Sequence, residues 1–309
     1  MIRTVCGEIH PELLGRVLSH EHIITVHPGI HQMMGDRHYN RTQLVETASA
    51  YLALLKNKMG LGTIVDCTPP DLGRDLSLLK EISSCSGVHI IASTGFYYTE
   101  DPILSCMSQE ALELAMMTDV NKGCIGVIKA AVESNYVTPL NRKLLYAAAN
   151  VQLKTGLPIV VHTNSVYQNG VEVLNFLLSC GLAPEAITIS HVSDSEDVDY
   201  LTKLAKSGCY LGYDRLYGDY SKEYIERKVR MLMILYEFGF GHQILLSHDA
   251  QFYCEFVKQP ALVSTPRMGY AFTHILPALR NAGMDAKTVN SMVQENVKRK
   301  LLCRKREEN

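Results

Sequence analysis

Short apolar runs rich in β-branched residues alternate along the chain with longer stretches in which apolar positions recur every three or four residues. The short runs predict strands over 15–19, 62–67, 88–94, 126–130, 158–162, 186–190, 210–213 and 244–247. The longer stretches predict helices over 42–59, 140–155, 171–180, 197–207 and 222–238. Gly60, Gly156, Gly181, Gly208 and Gly239 stand just past those helices, where a helix end takes a left-handed residue. Continuous apolar strands separated by helices predict a parallel sheet covered by helices. Eight such units fit an α/β fold of the (β/α)8 TIM-barrel type better than an open sheet. No Pro/Gly/Ser-rich linker divides the chain, so one domain over residues 1–309 is expected. A doubly wound sheet is disfavoured because no glycine-rich phosphate turn follows the first strand.

The polar residues matter for where they fall. The first run leads into Ser19-His20-Glu21-His22, the fourth ends near Lys129, the fifth in His162, the sixth in His191 and the eighth in His248-Asp249. In a barrel these ends converge on one face, the face that carries catalytic residues. Four imidazoles and a carboxylate brought together there make a site for two divalent metals. Residues two apart on an extended segment point the same way, so His20 and His22 can reach one ion. Taken singly, the two could be ordinary hydrogen-bonded histidines, and His162 a satisfied buried one. Lys129 is the odd member, because an ammonium is repelled by dications and costs free energy to bury. It either pairs with a carboxylate such as Glu133 or carries CO2 as a bridging carbamate.

Composition narrows the classes further. With 47% hydrophobic and 20% charged residues the chain is built like a globular protein rather than a disordered one. A net charge of -2 gives no electrostatic reason to expect nucleic acid or an anionic membrane as partner. No segment has the length of an uncharged membrane span, and the first ten residues lack the layout of a signal peptide. Nine cysteines without a CxxC pair argue against a disulfide framework and for a reducing, cytoplasmic setting. The basic run from Lys298 to Arg306 reads as a solvated helix end.

The segments GRVLSHEHI (15–23), GVIKAA (126–131) followed by Pro139, GLPIVVHT (156–163), ITISHVSD (187–194), ILLSHDA (244–250) and ENVKRKL (295–301) together resemble the phosphotriesterase family of the amidohydrolase superfamily. The resemblance covers essentially the whole chain and is nearest to the family's lactonase branch. It implies a (β/α)8 barrel with a binuclear centre. His20, His22 and Asp249 would bind the more buried ion, and His162 and His191 the more exposed one. Lys129, as N6-carboxylysine, would bridge them together with a hydroxide. Zn2+ is the expected metal, with Co2+, Mn2+ and Fe2+ also compatible with these donors.

Asp249 is the expected catalytic residue, taking the proton of the attacking hydroxide and passing it to the leaving alkoxide. His191 and His248 are further candidates for that path. Tyr97 and Arg215 match residues that lactonase relatives place beside the metals, so both are expected to bind substrate. Their ordinary readings are strand-end packing for Tyr97 and a loop ion pair between Asp214 and Arg215. Lys222, Lys258 and Arg267 are either a clamp for the phosphate of a phosphorylated sugar lactone or scattered solvated charges. His27, His31 and His38 receive no role. The expected reaction is lactone opening on a small-molecule substrate; phosphotriester hydrolysis is the alternative. A metal-binding barrel without catalysis is the reading from another class. The same resemblance implies a homodimer.

Overall fold

The computed structural model describes residues 1–97, 101–216, 221–263 and 265–302. The last part of the basic C-terminal run, from residue 303 on, lies outside the described residues. A short antiparallel hairpin opens the chain, β1 (Ile2–Thr4) with β2 (Gly7–Ile9). Nine further strands follow: β3 (Arg16–Thr25), β4 (Leu61–Asp66), β5 (His89–Gly95), β6 (Ile125–Val132), β7 (Ile159–Thr163), β8 (Ile187–Ser190), β9 (Tyr210–Tyr213), β10 (Ile244–Leu246) and β11 (Gln251–Cys254). They form one parallel sheet in the order β10-β9-β8-β7-β6-β5-β4-β3-β11. Helices fill the connections: α1 (Pro28–Met34), α2 (Arg41–Met59), α3 (Leu76–Ser86), α4 (Pro102–Cys106), α5 (Gln109–Val120), α6 (Pro139–Thr155), α7 (Gly170–Ser179), α8 (Val198–Lys206) and α9 (Lys222–Glu237). After the sheet come α10 (Leu276–Asn281), α11 (Ala286–Ser291) and α12 (Glu295–Leu301).

The two ends of the strand order approach one another through a single stretch of chain. β10 pairs with β9, and β11, four residues later, pairs with β3. Between them Asp249 N donates to His20 O (3.0 Å) and His22 N donates to Ala250 O (2.9 Å). The sheet is therefore curled, with the 247–250 segment running beside β3.

Local chemistry explains the helix starts. Asn40, Asp75, Ser108, Asp197 and Ser221 each accept a backbone N–H at a helix N-terminus. Thr138 and Asn141 form a capping box ahead of α6, with Pro139 in its first turn. All five helices expected from the periodicity are present to within one residue at each end, and the five glycines that follow them all have positive φ. The strands differ more. β3 runs on through His20 and His22 to Thr25, and β6 continues past Lys129 to Val132. Apolar patterning stops at those polar residues; the backbone does not, because the side chains are buried with partners.

Two apolar clusters pack the sheet. The larger lies between strands and helices. The smaller takes Val17, Val65, Ile91, Val127, Val160, Tyr210 and Leu245 from seven strands, together with Val297 of α12.

Candidate metal centre

The smaller cluster is the floor on which the polar site stands. Side chains alternate along a strand, so the residue two beyond an inward one points inward again. Two beyond Val127 is Lys129, two beyond Val160 is His162, and four beyond Leu245 is Asp249. On β3 the pairing with β4 slips between Leu18 and Glu21. That slip changes parity, so His20 and His22 join the same layer although they lie three and five beyond Val17. His20, His22, Lys129, His162 and His191 are all buried.

The polar atoms converge. His20 Nε2 lies 2.9 Å from Lys129 Nζ and 3.5 Å from Asp249 Oδ1. His22 Nε2 is 3.1 Å from the same Oδ1, and His191 Nδ1 is 3.8 Å from Asp249 Oδ2. His162 Nδ1 and His191 Nε2 face one another at 2.8 Å. Among the described residues, two groups have the spacing to hold a metal ion: His20, His22 and Asp249, and His20, His191 and Asp214.

An outer ring of acceptors fixes the tautomers. Asp214 Oδ2 meets His20 Nδ1 at 2.8 Å, and its Oδ1 meets His191 Nδ1 at 3.0 Å. Glu133 Oε2 is 2.7 Å from His162 Nε2, and Thr68 Oγ1 is 2.8 Å from His22 Nδ1. Each carboxylate can only accept, so His20, His191 and His162 donate outward and turn a lone pair inward. His162 Nδ1 and His191 Nε2 are then two lone pairs with no proton between them. A cation suits that geometry, as outward-anchored histidines usually do in metal sites.

Charge follows the same pattern. Burial and the nearby Lys129 hold His20 well below the usual imidazole range, and burial with the adjacent His191 pushes His162 down to about 3. Burial opposes ionisation of Asp214, but His191 and His20 outweigh it and hold the carboxyl below its usual range. Burial opposes ionisation of Asp249 as well, and is outweighed by His191 and by His22. The hydrogen bond from His162 lowers Glu133. Neutral imidazoles and ionised carboxylates are the protonation states that ligate metals.

The backbone is bent to serve the site. His191 and Asp249 have φ of 67° and 54°, left-handed values that cost side-chain-bearing residues free energy and cluster at functional sites. Their N–H groups are tied down, His191 to Asp214 Oδ1 (2.7 Å) and Asp249 to His20 O (3.0 Å). Gly95, at φ +112°, is required beside Lys129: a Cβ there would lie 1.9 Å from Lys129 O. A Cβ on Gly212 would come within 2.6 Å of Asp214 Oδ2.

Several expectations change. Lys129 does not pair with Glu133, which is engaged by His162 and Asn164. Asp214 and Arg215 are not an ion pair. Arg215 Nε donates to Asp249 Oδ2 (3.1 Å) and its Nη1 to Asp194 Oδ2 (2.7 Å), while Asp214 is buried between two histidines. His248 has both ring nitrogens engaged, Nδ1 by Glu21 (2.8 Å) and Nε2 as acceptor from Ala271 N (3.0 Å), which removes it from the proton path.

Tyr97 stands edge-on to His162 with ring centroids 5.3 Å apart. It lines a cleft of about 230 Å3 with Leu72, Lys129, His162, Arg215, Asp249 and Phe256. Arg267 lines a neighbouring cleft of about 400 Å3 with Asp249 and Gln251. Lys222 begins α9, 3.5 Å from Glu226, and neither it nor the exposed Lys258 lines either of these two clefts. Of the loop histidines, His27 caps α1, His38 pairs with Glu255, and His31 stacks on His38 and Tyr39.

Sequence reasoning missed Asp214 and Glu21. Asp214 follows directly on β9, and that position at a strand end was its signal. Glu21 alternates away from His20 and His22 and carried no sequence signal. It is wholly buried and accepts from Ser247 Oγ (2.8 Å), His248 N (3.0 Å) and Ala250 N (3.0 Å).

Comparison with known proteins places the chain in a family. The family model described as Phosphotriesterase family matches residues 1–301. The phosphotriesterase homology protein of Mycobacterium tuberculosis is 28% identical, over 96% of this chain and 96% of its own. The aryldialkylphosphatase of Saccharolobus solfataricus is 26% identical over 93% of this chain and 94% of its own. The N-acetyltaurine hydrolase of Danio rerio is 28% identical over 96% of this chain and 97% of its own. The solved structure of the phosphotriesterase from Mycobacterium tuberculosis matches with a TM-score of 0.86 at 25% identity, covering 98% of each chain. Among the described residues, no helix is long and apolar enough to cross a membrane. The chain belongs to the phosphotriesterase family and is a hydrolase.

Proposed function

We propose that the protein opens lactones at a binuclear divalent-metal centre formed by His20, His22, Lys129, His162, His191 and Asp249. The observation that carries this reading is the pair of inward lone pairs on His162 and His191, 2.8 Å apart, beside the group of His20, His22 and Asp249. Zn2+ suits these nitrogen and carboxylate donors, and Co2+, Mn2+ or Fe2+ are compatible with them. A buried ammonium beside dications is repelled, so Lys129 would serve as N6-carboxylysine, which would bring negative charge and oxygen donors to the cations. On the same reading the chain is one domain, a (β/α)8 barrel closed where residues 247–254 run beside β3.

Two cations held there would supply a hydroxide at neutral pH and polarise the ester carbonyl. The chain's own residues do the rest. Asp249 is ionised and touches both the histidine group and Arg215, so it can take a proton at a carboxylate oxygen and return it to the ring oxygen that leaves. Arg215 and Tyr97 flank the cleft, where a guanidinium and a phenol can orient a small ring ester. A phosphate on a sugar lactone would meet Arg267 in the neighbouring cleft.

Phosphotriester hydrolysis is the second reading, supported by the relative named aryldialkylphosphatase. The relatives named N-acetyltaurine hydrolase add an N-acyl amide with an anionic group, for which Arg215 and Arg267 are the supporting cations. Steady-state kinetics on a γ-lactone, a sugar lactone with and without phosphate, an aryl dialkyl phosphate and an N-acetyl aminosulfonate separates these. The lactones are expected to give the highest kcat/KM. Turnover of the phosphotriester or the amide with no turnover of any lactone contradicts the assignment.

A further inference from the structure

A carboxylate outside the metal centre stands in an unusual position. Asp71 lies in the turn after β4, and its Oδ2 accepts the backbone N–H of Tyr97 at 2.8 Å. Among the described residues, its other oxygen, Oδ1, is buried with no partner at hydrogen-bond distance. A buried carboxylate normally has both oxygens satisfied. Its bond to Tyr97 N runs to the residue whose ring faces His162.

The turn that carries Asp71 is fixed. Leu72 O accepts from Val26 N (3.0 Å), and a Cβ on Gly73, at φ +80°, would lie 2.4 Å from the Val26 side chain. Tyr97 is the second residue after β5, and Phe96 between them donates its N–H to Lys129 O at 3.3 Å. The Asp71 bond thus ties a rigid turn to the chain that leaves the sheet with Tyr97.

We propose that Asp71 is the positioning residue for Tyr97, holding its phenol at the cleft and so setting substrate affinity rather than the rate of bond cleavage. This rests on the reading of Tyr97 as a substrate contact. Asp71 does not touch the proposed metal ligands.

Protonation supplies a signature. Burial pushes the Asp71 carboxyl up to about 6, within reach of ordinary assay buffers. The ionisable group acting on it is Asp101, at the start of α4, which raises it further. Arg74, in the same loop, is taken up by Asp119. From α1, which packs on this turn, His27 is a helix cap and His31 stacks on Tyr39. Charged acceptors make the stronger hydrogen bonds, so the bond to Tyr97 N weakens as pH falls through this range.

The test uses the metal-loaded full-length protein, with D71N and D71A, and whichever ester or amide the wild type turns over. D71A is expected to raise KM about tenfold, the loss of one charge-assisted bond, with kcat within about threefold and metal content unchanged. D71N, which still accepts the N–H, is expected to restore most of the affinity. It is also expected to remove the change in KM near pH 6. The Tyr97 amide resonance should titrate near pH 6 in the wild type and not in D71N, a readout that needs no substrate. An unchanged KM in D71A, a fall in kcat equal to the rise in KM, or a Tyr97 amide that does not titrate overturns the proposal. If Y97A alters no kinetic constant while the amide titrates as expected, Asp71 positions Tyr97 but the reading of Tyr97 as a substrate contact is wrong. Should D71A fail to fold, D71N and the amide titration decide alone.

Discussion

His162 Nδ1 and His191 Nε2 point at each other across 2.8 Å, and both are lone-pair atoms because Glu133 and Asp214 take the protons on the far side of each ring. Two lone pairs so placed repel unless a cation stands with them. The relationship makes Asp214 the most consequential residue outside the proposed ligand set, since it anchors His20 and His191 at once.

Replacing Asp214 with Asn therefore has a defined outcome. An amide can accept from one imidazole but presents its NH2 to the other, so one ring loses its orientation. Metal affinity should fall by about 10- to 100-fold, the usual effect of removing an outer partner of a ligating histidine. Competition with a chromophoric chelator measures this; wild-type affinity in D214N would show that the tautomers are set elsewhere.

Gly95 is expected to be intolerant of even one methyl group. A Cβ would sit 1.9 Å from Lys129 O, and φ +112° is unfavourable for alanine besides. The strand carrying Lys129 must move, so G95A should lose metal and activity together while far-UV circular dichroism stays close to wild type. Full metal occupancy in G95A is the contrary result.

These two residues show where sequence reading works and where it stops. Lys129, His162 and Asp249 were legible because an apolar run ending in a polar residue marks both a strand and the layer above its core. The five helices predicted over 42–59, 140–155, 171–180, 197–207 and 222–238 were legible because their periodicity is uninterrupted and glycines end them. Beside Arg215, Asp214 left a loop ion pair as one open reading, whereas the fold brings it to His191 and His20; pairing across that distance has no local signal. Glu21 and the continuation of β3 were hidden for a related reason. Polar residues within a strand interrupt the apolar pattern, and only the fold supplies the partners that allow their burial. The segment Gln251–Cys254 was missed because its pairing is with β3, at the other end of the chain.

Lys300 gives a stability prediction with a definite sign. Its ammonium is wholly buried and, among the described residues, has no hydrogen-bond acceptor, and burial pushes it down to about 8 from 10.5. A lysine with a folded pKa below its unfolded one destabilises the fold at low pH, and the penalty disappears as pH rises through about 8 to 10.5. At about 1.4 kcal/mol per unit the penalty is on the order of 3 kcal/mol. K300M should thus be more stable than wild type at pH 7 by roughly that amount, and the advantage should shrink towards pH 10.5. Urea unfolding at the two pH values is the check. A K300M protein less stable at pH 7 means that the amine has a partner in solution.

The central claim is that six side chains hold two divalent cations, with Lys129 as the bridge. Its most direct measurement is the metal content of protein grown with zinc and labelled bicarbonate, beside K129A, with carbon NMR for the carbamate. The account predicts about two ions per wild-type chain, a carbamate resonance that disappears in K129A, and loss of metal and activity together in that variant. Wild-type protein without stoichiometric metal, or K129A with full occupancy and activity, would contradict it.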